Sequence, residues 1–506
     1  MKTRLLPIIS ILILATFVLI AGRGMGVGAK RQAAQPAIPQ APTALVFGIT
    51  TRVSVASDGS QGNNYSDWPS TSADGRYVAF TSRASNLVSG DTNGYMDIFV
   101  HDRQTASTER VSVASDGSQG NYYSDSPSIS ADGCYVAFGS YASNLVSGDT
   151  NGYLDIFVHD RQTGITERVS VASDGSQGNY DSGGSSISTD GRYVAFQSHA
   201  SNLVSGDTNG SWDIFVHDRQ TGSTERVSVA SDGSQGNGGS YSPSISAGGR
   251  YLAFLSEASN LVSGDTNNFC GNPPEYNNCL DIFVHDRQTG STQRVSLSSD
   301  GSQGNHESYS PSISADGRYV AFESYASNLV IGDTNKFCGG YISCPDIFVH
   351  DRQTGVTQRV SLASDGSQGN SYSHSPSISA DGRYVAFFSS ASNLVSGDTN
   401  GYTDTFVHDR QTGSTQRVSL ASDGSQGNDG SGGSSISADG RYVAFTSRAS
   451  NLVSGDTNNF CIGDRSTNLS TPPPPENSNC PDVFVHDRGE ETVGYAIYLP
   501  LTQNQP

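Results

Sequence analysis

Short hydrophobic runs return along this chain at a nearly constant spacing. The clearest is Asp-Ile-Phe-Val-His-Asp-Arg, whose phenylalanine recurs at Phe99, Phe157, Phe215, Phe283, Phe348, Phe406 and Phe484. Successive copies lie 58 residues apart, and repeats four, five and seven are longer by 10, 7 and 20 residues. A period of this size, made of short apolar runs separated by turn residues, indicates a repeat fold rather than one irregular core.

Each repeat is predicted to contain four strands. The first is a serine-rich run, residues 127–130 in repeat two, and the others in repeat one are residues 77–80, 98–101 and 110–113. The second and third runs are almost wholly apolar, which fits strands that are covered on both faces. In the fourth, Val111 and Val113 alternate with Arg110 and Ser112, so we predict a half-exposed edge strand with its valines inward.

Turn residues separate these runs. Asp74-Gly75 predicts a hairpin between the first and second strands, and Gly164 supplies a turn between the third and fourth. Four antiparallel strands in each of seven repeats predict an all-β fold, a seven-bladed β-propeller of four-stranded antiparallel blades. The innermost strand is the serine-rich one, so the central channel is predicted to be polar.

The repeat also resembles a known family. Residues 72–80 read Ser-Ala-Asp-Gly-Arg-Tyr-Val-Ala-Phe, and residues 155–164 read Asp-Ile-Phe-Val-His-Asp-Arg-Gln-Thr-Gly. This pattern resembles the TolB-type bacterial propeller repeat, a relative of the WD-type repeat, from about Arg52 to Arg488. The resemblance implies the propeller fold. The Tol-system protein carries an additional α/β domain before its propeller, which nothing here matches, so its role is not transferred.

The ends of the repeat region predict how the ring closes. A fourth-strand sequence, Arg52-Val-Ser-Val55, precedes any first strand, and the last repeat lacks one after Arg488. We therefore predict that the propeller spans residues 50–488 and that the N-terminal strand completes the seventh blade. The rival hypothesis places the apolar segment 493–499 at that edge.

The terminal segments predict export. In residues 1–30, Lys2 and Arg4 precede an apolar run from Leu5 to Ala21, which is typical of a signal peptide, with an uncleaved N-terminal anchor as the alternative. Residues 31–49 are rich in Ala, Pro and Gln and are predicted to be a linker. Residues 489–506 form a C-terminal tail. The protein is expected to be extracellular, on the cell surface or periplasmic.

Three insertions each bring two cysteines into the connector between the second and third strands. The predicted disulfide pairs are Cys270 with Cys279, Cys338 with Cys344, and Cys461 with Cys480. In an exported protein a local disulfide lets a loop grow without disturbing the strands. A zinc site is the alternative, but paired cysteines without a nearby histidine fit it poorly. Cys134 replaces an arginine of the repeat and is interpreted as a passive substitution.

The net charge narrows the range of partners. A formal charge of −20 and a pI near 4.7 argue against nucleic acid and acidic membrane surfaces. The expected partner is a protein or a glycan outside the cytoplasm, with membrane contact only through an N-terminal anchor. Of the 26 arginines, 20 occupy three repeated positions, where they are predicted to pair with repeated aspartates such as Asp102.

An acidic loop recurs in the connector before the third strand. In repeat one it places oxygen-bearing side chains at offsets one, three and seven, as the first half of a calcium loop does. Calcium is thus a candidate cofactor. The competing interpretation is a turn whose last aspartate bonds nearby groups. The uninterrupted copies are Asp91, Asn93, Asp97; Asp149, Asn151, Asp155; Asp207, Asn209, Asp213; and Asp398, Asn400, Asp404.

No catalytic constellation is found in the sequence. His101 recurs in every repeat, which favours a structural hydrogen bond over catalysis, and no nucleophile elbow or phosphate loop is present. The long connectors and all three insertions belong to one face, which is typical of a binding face. We therefore predict a non-catalytic binding or interaction scaffold. The alternatives are an extracellular polysaccharide lyase or hydrolase, which needs a cluster that breaks the sevenfold pattern, and a purely structural envelope protein.

Overall fold

The computed structural model describes residues 48–267, 279–335, 344–458 and 480–489. The chain divides into two compact units, Met1–Val46 and Phe47–Pro506, and every described residue lies in the second. The predicted signal peptide, most of the linker and most of the C-terminal tail lie outside the described residues. Within those residues, no helix is long and apolar enough to cross a membrane.

The described strands follow the repeat. β1 is Ile49–Arg52, and blade 1 contains β2 Ser66–Thr71, β3 Tyr77–Ser82, β4 Asp97–Asp102 and β5 Ser107–Arg110. Blade 2 contains β6 Ser124–Ile129, β7 Tyr135–Ser140, β8 Asp155–Asp160 and β9 Ile165–Arg168. Blade 3 contains β10 Ser182–Ile187, β11 Tyr193–Ser198, β12 Asp213–Asp218 and β13 Ser223–Arg226. Blade 4 contains β14 Ser240–Ile245, β15 Tyr251–Ser256, β16 Asp281–Asp286 and β17 Ser291–Arg294.

The remaining blades repeat the arrangement. Blade 5 contains β18 Ser308–Ile313, β19 Tyr319–Ser324, β20 Asp346–Asp351 and β21 Val356–Arg359. Blade 6 contains β22 Ser373–Ile378, β23 Tyr384–Ser389, β24 Asp404–Asp409 and β25 Ser414–Arg417. Blade 7 contains β26 Ser431–Ile436, β27 Tyr442–Ser447 and β28 Asp482–Asp487, and β1 completes it. Across the described ranges the strands form seven four-stranded antiparallel sheets, so the predicted seven-bladed propeller is confirmed.

The N-terminal strand closes the ring. β1 pairs antiparallel with β28, which places Thr50 opposite His486. Thr50 Oγ1 lies 2.8 Å from His486 Nδ1, and Thr108 makes the same contact with His101 at 2.8 Å within blade 1. The first and last blades are thus joined by the bonds that hold the outer strand of other blades, as predicted. The rival segment 493–499 lies outside the described residues.

The fourth strand lies earlier in the chain than the alternation of Val111 and Val113 suggests. β5 ends at Arg110, and Val113 forms an isolated bridge with Gln119. Ser112, predicted to face outward, is fully buried because its hydroxyl donates to Asp97 Oδ1 at 2.5 Å. The predicted bounds of this strand and the outward position of Ser112 were therefore wrong, whereas Val111 is buried as predicted. A buried carboxylate needs a hydrogen-bond donor, and that need places a serine inward where hydropathy alone places it outward.

The apolar core lies between the blades. Val100 and Val111 of blade 1 pack with Val136 and Phe138 of blade 2, and all four are inaccessible to solvent. Each blade therefore covers its neighbour, which explains the nearly continuous apolar runs in the second and third strands. Because every core layer needs two blades, a single repeat cannot bury its own hydrophobic surface.

Hydrogen bonds also link the first strands around the centre. The backbone N–H of Ala73 donates to Ala131 O at 3.0 Å, and the series continues blade by blade until Ala438 N donates back to Ala73 O at 2.9 Å. A second series uses serine hydroxyls, and Ser70 Oγ accepts from Ile129 N at 3.1 Å. The serine-rich innermost strand and the hairpin that follows it therefore join neighbouring blades, and the polar channel stays a prediction.

Candidate functional site

The two ends of the blades differ in loop length. We call the turn face the end that carries the short hairpins, residues 72–76 and 103–106 with their counterparts. The loop face is the opposite end, which carries the long connectors, residues 83–96 and 111–123 with theirs. All three insertions fall in connectors of the loop face. The acidic loops and the residues that change from blade to blade also lie there.

The acidic loop of blade 1 is held by hydrogen bonds within the protein. Asp97 is fully buried at the start of β4, where it accepts from Ser112 Oγ at 2.5 Å and from Asn93 Nδ2 at 2.9 Å. The Asn93 amide also donates to Gly120 O at 3.0 Å, which ties the loop to the next connector. The loop is therefore an organised turn in which Asn93 bridges two segments.

Arg110 supplies the positive charge of this cluster. Its Nη1 lies 3.2 Å from Asp91 Oδ1 and 3.6 Å from Asp97 Oδ2, and all three side chains are nearly inaccessible to solvent. Burial and the neighbouring charge of Asp97 raise the pKa of Asp91 to about 6, and Arg110 opposes that rise. Burial also raises the pKa of Asp97. The Arg110 guanidinium thus lies between Asp91 and Asp97, the two carboxylates that a calcium ion would have to bind.

The other uninterrupted copies have the same geometry. The Asn-to-Asp distances are 2.9 Å for Asn151 and Asp155, 3.0 Å for Asn209 and Asp213, and 3.0 Å for Asn400 and Asp404. The neighbouring carboxylates Asp149, Asp207 and Asp398 each lie 3.1 to 3.2 Å from an arginine. No group of three or more His, Cys, Asp or Glu side chains within the described ranges could hold a metal ion. Calcium binding by these loops stays a prediction.

In the blades that carry insertions, the last aspartate of the acidic loop makes the same contact with asparagine as in the uninterrupted copies. Asn267 Nδ2 lies 2.9 Å from Asp281 Oδ2, although 13 residues separate them in the chain. Cys279 is buried beside this contact, and its N–H donates to Asn267 O at 3.4 Å. Cys344 and Cys480 occupy the equivalent buried positions. Their predicted partners Cys270, Cys338 and Cys461 lie outside the described residues, so the three disulfide pairs stay predictions.

The repeated histidine has a structural environment. His101 Nδ1 lies 2.8 Å from Thr108 Oγ1, and the threonine hydroxyl also contacts Val55 O at 2.5 Å. Burial lowers the pKa of His101 to about 4, so the ring is neutral at physiological pH. The histidine therefore links two strands to the preceding connector, which is the role expected from its presence in every repeat.

Some positions of the repeat differ between the seven blades, and the sequence motifs did not single them out. Most positions carry one residue in nearly all copies, but eight positions of the loop face change their chemical character from blade to blade. We call these positions the variable crown, and all of them lie at strand ends or connectors of the loop face. In blade 1 they are Asn64, Tyr65, Asp67, Trp68, Thr81, Arg83, Tyr95 and Met96. Aligning the repeats column by column would have found them from the sequence.

Exposed aromatic rings concentrate in the variable crown. Trp68, Tyr95, Tyr122, Tyr180 and Tyr402 all belong to it and are between 38% and 48% exposed. The Tyr95 and Tyr122 rings lie 4.7 Å apart across the boundary of blades 1 and 2, and Tyr153 lies 4.9 Å from Tyr180 across the next boundary. Neighbouring blades therefore present shared aromatic surfaces, which are typical of binding sites.

Trp68 stands at a constrained backbone position. A bulge interrupts the pairing of β2 with β3 between Asp67 and Ser70, and Trp68 has a φ of 54°. A positive φ is uncommon for residues other than glycine. The counterparts also have positive φ, but each is a small residue: Ser126, Gly184, Ser242, Ser310, Ser375 and Gly433. The bulge belongs to the fold, whereas the large side chain belongs to blade 1 alone.

Titratable groups gather in the variable crown where blades 5 and 6 meet. Glu323 is only 7% exposed, lies 3.3 Å from His374 Nδ1 and accepts from Ser375 N at 3.0 Å. Glu307 accepts from the Tyr309 hydroxyl at 2.6 Å. This cluster breaks the sevenfold pattern, which is the property that the sequence argument required of an enzyme site.

Several solved propeller structures are similar to this chain, although no sequence family is shown. No family model matches the chain, and no curated protein matches it. Similar solved structures include TolB from Acinetobacter baumannii, with 16% identity, a TM-score of 0.37 and coverage of 70% of this chain and 63% of that one. They also include oligogalacturonate lyase from Vibrio parahaemolyticus, with 12% identity, a TM-score of 0.46 and coverage of 87% and 93%.

The propeller domain of the trilobed protease from Pyrococcus furiosus is a further example. It has 12% identity and a TM-score of 0.45, with coverage of 76% of this chain and 91% of that one. TolB and other propeller proteins are thus among the structures that this chain is similar to.

Proposed function

We propose that this protein is an exported, non-catalytic binding module whose variable crown recognises a ligand outside the cytoplasm. The observation that carries the proposal is the concentration of chemical variation on one face of otherwise nearly identical blades. A framework repeated seven times holds its backbone in one geometry. Side chains that differ between blades at the rim of that framework then create a surface without symmetry, as recognition of a specific ligand requires.

The chemistry of the crown supports binding. Tyr122 and Tyr180 are 42% and 43% exposed, and each contacts the aromatic side chain of the preceding blade. Aromatic side chains provide large contact areas and lose little conformational entropy on binding, because they have only two rotatable side-chain bonds. They also combine an apolar ring with a polar hydroxyl, so they suit ligands that are neither fully apolar nor highly charged.

The test compares the two faces of the propeller. The full chain would be screened against arrays of oligosaccharides and of extracellular peptides, and the affinity of each positive probe would then be measured. The double variant Tyr122→Ala with Tyr180→Ala is expected to weaken binding at least tenfold. The matched control is Ile165→Ala with Val356→Ala, which removes two side chains of similar exposure from the opposite end. Loss of binding in the control alone would contradict the proposal.

A second candidate function rests on the cluster of titratable side chains where blades 5 and 6 meet. The contact of Glu323 with His374 and that of Glu307 with Tyr309 bring acids and bases together at the loop face, where a polysaccharide lyase or hydrolase would need them. The test is to incubate the protein with neutral and acidic polysaccharides and to measure new reducing ends and unsaturated products. Turnover that Glu323→Gln abolishes would favour this candidate over a purely binding role.

A further inference from the structure

A cavity of about 450 Å³ lies on the loop face where blades 6, 7 and 1 meet. Trp68 of blade 1 and Phe388 of blade 6 contribute aromatic side chains to its lining. Blade 7 contributes Gly430, Gly432 and Thr446. We call this cavity the blade 7 slot. Its volume lies within the range of about 300–1,000 Å³ that is usual for small-molecule sites.

Blade 7 has glycine at two lining positions of the slot, and no other blade has glycine at both of them. The counterparts of Gly430 include Tyr123 and Tyr372, and those of Gly432 include Tyr309 and His374. An added Cβ at Gly430 would meet no atom within 4 Å, and at Gly432 it would meet only the Phe388 ring, at 3.8 Å.

The backbone does not require these glycines. Neither Gly430 nor Gly432 has a positive φ, so a tyrosine could occupy either position without strain. Their effect is therefore to keep the space between the two aromatic side chains open.

The polar lining of the slot includes one acidic side chain, one basic side chain and several hydroxyl groups. Asp67 Oδ1 accepts from Thr446 Oγ1 at 2.7 Å and from Trp68 N at 2.7 Å, which fixes the carboxylate at the edge of the cavity. Arg448 also lines the slot, so one acidic and one basic side chain face the same space. Ser375 and Thr403 add hydroxyls, which both donate and accept hydrogen bonds.

We infer that the blade 7 slot binds one unit of an uncharged saccharide. A sugar ring has C–H faces that pack on aromatic rings and a rim of hydroxyls that both donate and accept, and the slot offers both kinds of partner. The opposite charges of Asp67 and Arg448 favour a neutral ligand, and the net charge of −20 repels polyanions. The inference rests on the proposed function and names its ligand class.

The experiment fills the slot with a side chain that the fold already accepts elsewhere. Gly432→Tyr introduces the residue of the same position in blade 5, Tyr309. Titration calorimetry would use uncharged oligomers of glucose, mannose and N-acetylglucosamine, together with the free monosaccharides. At least one of these probes is expected to bind the parent chain, and Gly432→Tyr is expected to weaken it at least tenfold. Equal binding of monosaccharide and oligomer would identify a free sugar as sufficient, and binding of oligomers alone would identify a glycan chain.

Two variants control for the added tyrosine. Ile165→Tyr places one on the turn face and is expected to leave the affinity unchanged, and melting curves of each variant would verify folding. Gly183→Tyr makes the same change at the same strand position in blade 3, away from the slot. If Gly183→Tyr weakens binding as strongly as Gly432→Tyr, the ligand lies elsewhere on the crown. The slot assignment then fails while the proposed function stands.

Two other outcomes would overturn the inference. Binding only of uronic acid oligomers or of peptides, sensitive to Gly432→Tyr, would show that the slot takes a different class of ligand. Absence of binding for every uncharged saccharide would reject the slot as a sugar site. The proposed function would be rejected separately, by a ligand whose affinity responds to the turn-face variants Ile165→Ala with Val356→Ala but to no variant of the crown, Gly432→Tyr included.

Discussion

The turn face and the variable crown belong to the same repeat. Contacts recur from blade to blade on the turn face, whereas residues differ from blade to blade in the crown. On the turn face, Arg76 donates to both carboxylate oxygens of Asp102, at 2.9 and 2.6 Å, and Arg103 stacks over the Tyr442 ring of the neighbouring blade at 4.5 Å. These contacts recur around the ring. In the crown, the position of Trp68 carries serine or glycine in every other blade.

The difference separates structural residues from recognition residues. A contact that recurs in every blade joins equivalent neighbours, so it serves the ring as a whole. Cys134 is informative because it replaces the arginine of this position in blade 2, where its sulfur accepts instead from Gln162 Nε2 at 3.0 Å. One repeated contact is thus lost while the blade keeps its four strands. In the crown, by contrast, residues at equivalent positions differ from blade to blade, and so do their contacts.

The largest expected effect comes from breaking a repeated buried charge cluster. Arg110→Met leaves Asp91 and Asp97 buried without their cation, and removal of one partner from a buried ion pair costs about 3–5 kcal/mol. The free energy of unfolding, measured by chemical denaturation, should fall by that amount. Tyr122→Ala in the crown should cost less than about 1 kcal/mol, because its side chain is 42% exposed. Similar losses of unfolding free energy for the two variants would contradict the distinction between the repeated structural residues and the variable crown.

A smaller effect is expected at the repeated histidine, and it should depend on pH. Loss of the contact with Thr108 in His101→Gln should cost about 1–3 kcal/mol at pH 7. Burial lowers the pKa of His101 to about 4 in the folded state, below its ordinary value of 6.5. The stability that the neutral ring contributes is present above pH 6.5 and is lost as the pH falls through 4.

The deficit of His101→Gln relative to the parent chain should therefore shrink between pH 7 and pH 4. Groups shared by the two chains cancel in the difference, so the measurement isolates this histidine. Melting temperatures of both chains across that range would show it. A deficit that grows toward pH 4 would contradict the buried neutral ring. Tyr122→Ala provides a control whose deficit should not follow this pH dependence.

Restoring the arginine that blade 2 lacks should give a modest gain. Cys134→Arg places a guanidinium opposite Asp160, as Arg192 lies opposite Asp218 in blade 3 at 2.7 Å. Because such a pair is partly exposed, the gain should be about 0.5–1 kcal/mol. Cys134→Lys should gain less, since an ammonium cannot donate to both carboxylate oxygens in the planar geometry of arginine. A shift in the denaturation midpoint would measure both.

The smallest effect is expected from calcium. In the acidic loops a cation would have to displace Arg110 and its counterparts from Asp91 and Asp97, so millimolar calcium after EDTA treatment should change the melting temperature little. A ligand that binds only the folded state stabilises it by about 2.7 kcal/mol at a hundred times its dissociation constant. A clear rise specific to calcium would therefore show that these loops are metal sites, and the framework would then share in recognition.

Ring closure was predictable from the sequence, whereas the register of the outer strand was not. The fourth-strand sequence at Arg52 stands before the first blade, and the last repeat lacks such a strand, so the ring has few ways to close. The outer strand itself was placed too late, because Ser112 turns inward to reach Asp97, and hydropathy gives no sign of that hydrogen bond. The crown was hidden for a related reason: its residues are scattered through the repeat and meet only at strand ends.

The sequence by itself determined the number of blades, their order and the face that carries the long loops. Periodicity and turn residues are local signals, and seven copies make them unambiguous. Only the tertiary structure decided what lies beside what: that Gly432 of blade 7 opens a space between Phe388 and Trp68, and that Arg110 lies between two carboxylates. Those contacts join residues distant in the chain, so they depend on how the blades pack around the ring.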